Sequence, residues 1–153
     1  MRKEVYQMLI EQLSKLYVTP EGDYEVAETE DDVPEGWERA IKHIDLWNHN
    51  VEFIEQEDSW ARPAVFVEFG PIAWQPYVGG GYRGEGSIRL HVVTDWLEGG
   101  QEAAWALIAK IREAMDSVEG DSFHGLRLTE TITNHNHEDI LESIEGYAVK
   151  GVL

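Results

Sequence analysis

Between positions 135 and 139 lie His135, His137, Glu138 and Asp139, all side chains of the kinds that ligate divalent metals. Imidazoles two residues apart share a cation only if a third ligand arrives from elsewhere, and His43, Asp45 and His49 are the candidates to supply it. Their spacing matches neither His-Glu-x-x-His nor another recognised metal site, and an Asn/His-rich turn between strands needs no metal to explain it. The sequence therefore assigns no metal. It keeps these four residues as candidates for an alternative reading, a small cytosolic metal- or ligand-binding domain.

A second segment, Gly-Gly-Gly-Tyr-Arg-Gly-Glu-Gly at 79–86, has the glycine content of a phosphate-cradling loop. Its context differs, because it leads into a strand and ends in Glu85-Gly86, where a phosphate loop would end in Lys-Ser/Thr and open a helix. It reads instead as a hairpin loop, and the functional version of that reading is contact with a neighbouring subunit. Trp74, Tyr77, Tyr82 and Arg83 are then the oligomer-interface candidates, since aromatic residues and Arg are enriched at interface anchors.

No catalytic constellation emerges. Cysteine is absent, no serine sits in a Gly-x-Ser-x-Gly elbow, and acidic pairs mean little in a chain with 30 Asp and Glu. The expectation is of no enzyme and no cofactor. Six tryptophans remain: Trp37, Trp47, Trp60, Trp74, Trp96 and Trp105. Trp105 falls in an apolar helical stretch and is expected in the core, while Trp60, Trp74 and Trp96 sit beside loops.

These residues need a scaffold, and 153 residues suffice for one domain that buries about two-thirds of its extended surface. Hydrophobic residues make up 42% of the chain, which separates it from disordered sequences. Against 30 acids stand 12 Lys and Arg, a formal net charge of -18, so tight nucleic-acid binding lacks its basic footprint. The missing cysteines exclude disulfides and thiolate zinc. The first residues have no apolar signal-peptide core, and no segment reaches membrane-spanning length.

Apolar residues at Val5, Met8, Leu9, Leu13 and Leu16 predict an amphipathic helix over 3–16, stopped by Pro20 and Gly22. The stretch 21–35 carries eight acids and no base, which predicts a mobile acidic insertion at 20–36. From Trp37 to Ile54 the pattern fits either a helix or two short strands around Asn48-His49-Asn50. The run 64–69 is apolar towards both faces, as in a central strand, and Gly70-Pro71 is expected to end it. Ile88, Leu90 and Val92 alternate with Arg89 and His91, predicting a half-exposed strand.

Past Gly99-Gly100, Ala104, Ile108, Ile111, Met115 and Val118 form the strongest helical stripe, closed by Gly120. Strands around 126–132 and at Tyr147 and Val149 follow, separated by the polar stretch 134–139. The fold class is α+β: a single domain, 1–153, with an antiparallel sheet of about four to five strands packed against two main helices.

The N-terminal helix, the strand Pro63-Ala-Val-Phe-Val-Glu-Phe69, the strand Ile88-Arg-Leu-His-Val-Val-Thr-Asp95 and the helix after it form a recurrent pattern. It resembles small phage tail-completion proteins of the tail-terminator and head-tail joining type. The resemblance covers most of the chain, rests on element order and loose strand motifs, transfers no catalytic residue, and gives the acidic insertion no counterpart. It implies a structural virion protein, phage- or prophage-encoded and assembled in the host cytoplasm. There it would form a homo-oligomeric ring, commonly a hexamer, at the head-proximal end of the tail tube. Its partners would be tail-tube and head-connector proteins, with no membrane involved. DNA would cross the lumen without tight binding, past an acidic wall that repels phosphates. A third reading, an acidic inhibitor mimicking DNA, follows from charge alone.

Overall fold

The computed structural model describes residues 1–48, 60–95, 100–134 and 140–153. Helix α1 (Arg2–Leu13) buries Val5, Leu9 and Leu13, the one-sided stripe that its spacing dictates. Strands β1 (Leu16–Val18), β2 (Tyr24–Val26) and β3 (Glu38–Arg39) form a small antiparallel sheet in the order β2-β1-β3. The acidic insertion is therefore not all irregular loop. It contributes β2 and a 3-10 turn (Glu30–Asp32), with Glu28 paired to Lys15 at 3.0 Å and Glu30 to Arg39 at 2.9 Å. The bases in these two pairs, Lys15 and Arg39, come from outside the acidic run.

Strand β4 (His43–Leu46) resolves the ambiguity over 37–54 in favour of strands for the part described; 49–54 lies outside the described residues. It pairs with β5 (Ala64–Pro76), which pairs with β6 (Tyr82–Asp95). After helix α2 (Gly100–Met115) come β7 (Arg127–Asn134) and β8 (Ile140–Val152), giving a five-stranded sheet in the order β4-β5-β6-β8-β7. The α+β expectation holds. One refinement concerns β4, which runs parallel to β5 while every other pair in this sheet is antiparallel.

Strand β5 passes through Gly70-Pro71 rather than ending there. The register with β6 shifts between Phe69 and Ile72, and this irregularity absorbs a proline that has no N–H for the ladder. The glycine-rich segment likewise divides. Only 79–81 form the turn, at φ of 98°, 106° and 83° that glycine adopts without strain, and Gly84 and Gly86 belong to β6.

Both helices cover one face of the large sheet. Val5, Leu9 and Leu13 of α1 and Leu107, Ile108, Ile111 and Met115 of α2 share one core with Val65, Val67, Ile88, Leu90, Val92, Tyr147 and Val149. Each fully buried side chain of this size contributes about 1.5–3 kcal/mol relative to exposure. Trp105 does not join them and is 62% exposed. The stripe runs through Ala104, Leu107, Ile108 and Ile111, and the residue after Ala104 is turned about 100° away from it. The other face carries a smaller cluster of Ala64, Phe66, Val93 and Ile140, with Trp47 and Trp60 packed against it.

Candidate functional site

Beyond the four-residue pairing with β4, the β5–β6 hairpin continues to its turn with β5's outer edge unpaired in the described residues. Here the burial of β5 changes from a solidly buried start to an exposed end. Trp74, Tyr77, Val78 and Tyr82 are all exposed large side chains, and the Arg83 guanidinium lies 4.9 Å from the centre of the Tyr77 ring. The four interface candidates from the sequence thus come together on one distal hairpin. Tyr77 N–H donates to Gly81 C=O at 2.9 Å, which closes the turn that presents them.

Gly84 explains how Trp74 is held. The two residues are opposite in the ladder, and a Cβ at Gly84 would fall 2.7 Å from Trp74 Cζ3 and 2.9 Å from Ile72 Cγ2. The indole therefore lies across the neighbouring strand in space that any other residue would occupy. Beside it is a groove of about 610 Å³ lined by Met1, Arg2 and Lys3 from the start of the chain, Pro71, Ile72 and Trp74 from β5, and Leu153.

The groove is unusual in charge. Among the described residues, which include all 12 Lys and Arg, only Arg2, Lys3, Arg83 and Arg127 make no ion pair with a carboxylate. Arg2 and Lys3 line the groove, whereas Arg83, opposite Gln75 in the ladder, is on the other face of the hairpin from Trp74. Glu4, the acid next to them in sequence, turns instead to Ser122, whose N–H (2.9 Å) and hydroxyl (3.0 Å) donate to its carboxylate. The Ser122 amide is the main reason its pKa lies below the ordinary 4.5.

No protein-family model and no curated protein matches the sequence. Among solved structures, a chain of the "Virion of native gene transfer agent (GTA) particle" is similar with a TM-score of 0.49 and 15% identity, over 73% of this chain and 79% of that one. The likeness is a partial one of fold.

The opposite face of the sheet holds polar residues that the sequence did not single out. His91, expected on a half-exposed face, is only 4% exposed. Its Nδ1 lies 3.0 Å from Glu142 Oε2 and its Nε2 lies 2.8 Å from Glu68 Oε1. Ionised carboxylates only accept, so both contacts are hydrogen bonds together when both ring nitrogens carry protons. Asn134 Nδ2 donates to the other oxygen of Glu142. On the helix-covered face, the fully buried Glu145 receives Arg112 Nε at 3.1 Å and Nη2 at 3.0 Å, and the Thr131 hydroxyl at 3.1 Å. The hydrogen bond to Glu145 raises the Arg112 pKa above its ordinary value. Alternation of apolar and polar residues marks two faces but not a covering layer, which is why these carboxylates escaped notice.

His135, His137, Glu138 and Asp139, with His49, lie outside the described residues, as does Trp96. His43 and Asp45 are on β4, and His43 packs against Trp60 and Phe66 at ring separations of 6.3 Å and 5.6 Å. Among the described residues, no three His, Cys, Asp or Glu side chains are grouped to hold a metal ion. No helix described is long and apolar enough to cross a membrane.

Proposed function

We propose that this chain is a structural protein of a phage or prophage particle that completes the tail, forming a ring at the head-proximal end of the tail tube. The observation that carries the reading is the distal β5–β6 hairpin, whose exposed aromatics lie beside a groove lined by the unpaired Arg2 and Lys3 of α1. Aromatic side chains beside a groove lined by both apolar and cationic residues are the composition of a protein-binding surface. The order of helix, strands, helix and strands around an antiparallel hairpin agrees with the tail-completion pattern. In this role the chain performs no catalysis. Its partners are further copies of itself, tail-tube subunits and a head connector, and it assembles in the host cytoplasm, remaining there if prophage-encoded. The -18 charge lets DNA pass a lumen without sticking.

The test is mass in solution by light scattering over a wide concentration range, with electron microscopy of any large species. A closed ring with a central hole is expected. Open filaments or simple dimers as the sole assemblies would overturn the reading, because neither caps a tube.

A further inference from the structure

The groove and the acidic segment lie at opposite ends of α1. Arg2 and Lys3 open the helix and line the groove. At the other end, Arg39 donates to Ser14 C=O and pairs with Glu30, while Ala27 N–H donates to Lys15 C=O, fastening the acidic segment beneath the last turn. Twelve residues of helix separate the two by about 18 Å. One end of the molecule thus has unpaired cations beside apolar side chains. The other carries Glu25, Glu28, Glu30, Asp31 and Asp32 around Val26, which is 46% exposed.

We infer that the groove formed by Arg2, Lys3, Ile72 and Trp74 receives the acidic segment 24–32 of a second copy of this chain. The two surfaces are complementary in both respects. Arg2 and Lys3 face Glu25 and Asp31, neither of which makes an ion pair within its own chain, and Val26 meets the Trp74 and Ile72 side of the groove. The surfaces are different and sit at opposite ends, so the contact inferred is the heterologous, head-to-tail one, in which each copy uses both with different neighbours. Such a contact closes into a ring when its rotation permits and otherwise grows as a filament. The inference deepens the assembly reading and rests on it only for closure. The charges steer and orient, and Trp74 supplies the apolar anchor.

The experiment compares full chains by light scattering and electron microscopy: wild type, Arg2→Glu/Lys3→Glu, Glu25→Lys/Asp31→Lys, the four-substitution chain, and an equimolar mixture of the two double variants. Each double variant alone is expected to associate at least about tenfold more weakly than wild type, since like charges then face each other. The four-substitution chain and the mixture are expected to regain association, the mixture as alternating copies. That recovery also shows that the double variants fold. Wild-type rings that persist unchanged in both double variants would overturn the groove contact while leaving the tail-completion reading intact. Charge-sensitive filaments would do the reverse. A wild-type monomer at every concentration overturns the inference.

Discussion

Trp47 lies flat on His91, with ring centroids 3.8 Å apart and the planes 1° from parallel. The indole covers an imidazole that stands between two carboxylates, shielding those hydrogen bonds from water and strengthening them. His91→Ala removes one partner of the buried Glu142 side chain, leaving Asn134 on its other oxygen, and should destabilise the fold by about 1–3 kcal/mol. Chemical denaturation with an unchanged m-value is the check. A loss below about 1 kcal/mol would mean that the cluster is solvated.

Arg112 and Glu145 make the corresponding contrast on the helix-covered face. Arg112→Ala leaves a carboxylate with no exposed surface without its cation and should cost about 3–5 kcal/mol. Arg112→Lys keeps the charge but loses the two-pronged contact, so it should lie between alanine and wild type. Replacing the pair together, Arg112→Met with Glu145→Leu, should cost far less than Arg112→Ala alone.

Acid stability should depend on Glu4. Its pKa is below 4.5 in the folded chain, chiefly through the Ser122 amide, so its contribution is complete above the ordinary carboxylate value and disappears as pH falls through the lower folded one. Melting temperatures from about pH 6 down to about pH 3 should therefore fall more steeply for wild type than for Glu4→Gln. Parallel curves would remove Glu4 from the acid transition.

Tyr147 has a buried hydroxyl with no hydrogen-bond partner among the described residues, and burial is the main cause of its raised pKa. Tyr147→Phe deletes an unsatisfied polar atom without changing the ring, and should be neutral or stabilising by up to about 1 kcal/mol. A clear loss of stability in thermal unfolding would reveal a partner for that hydroxyl.

At the distal hairpin, Gly84→Val should expel Trp74 from its seat, because even the first added carbon meets the indole at 2.7 Å. The expected readout is a tryptophan emission shift and weakened self-association. Trp74→Ala should weaken association similarly and, because the indole is 38% exposed and otherwise packed over Gly84 and Ile72, should also cost about 1–2 kcal/mol of stability.

Much of this architecture was readable from periodicity. The stripes of α1 and α2 and the alternation of β6 place the helix-covered core, since burial on one face leaves a repeat in the chain. That Trp74, Tyr77 and Tyr82 stand exposed around a glycine turn was also readable, as aromatics flanking Gly79-Gly80-Gly81. Three features were not. Trp105 sits beside the apolar stripe and large size was mistaken for burial; Gly70-Pro71 looked like a terminator because a bulge leaves no periodic trace. His91 and Glu142 are polar residues buried by a second layer, Trp47 among them, whose position depends on tertiary packing.

Strands β6 and β8 are paired from Arg83 with Val152 to Asp95 with Ile140, along nearly the whole length of both. A pull on the distal hairpin directed along β6 would load those ladder hydrogen bonds side by side, so that many must yield together rather than one after another. Tension entering at Tyr82 would travel along β6 to His91 and its carboxylate partners Glu68 and Glu142.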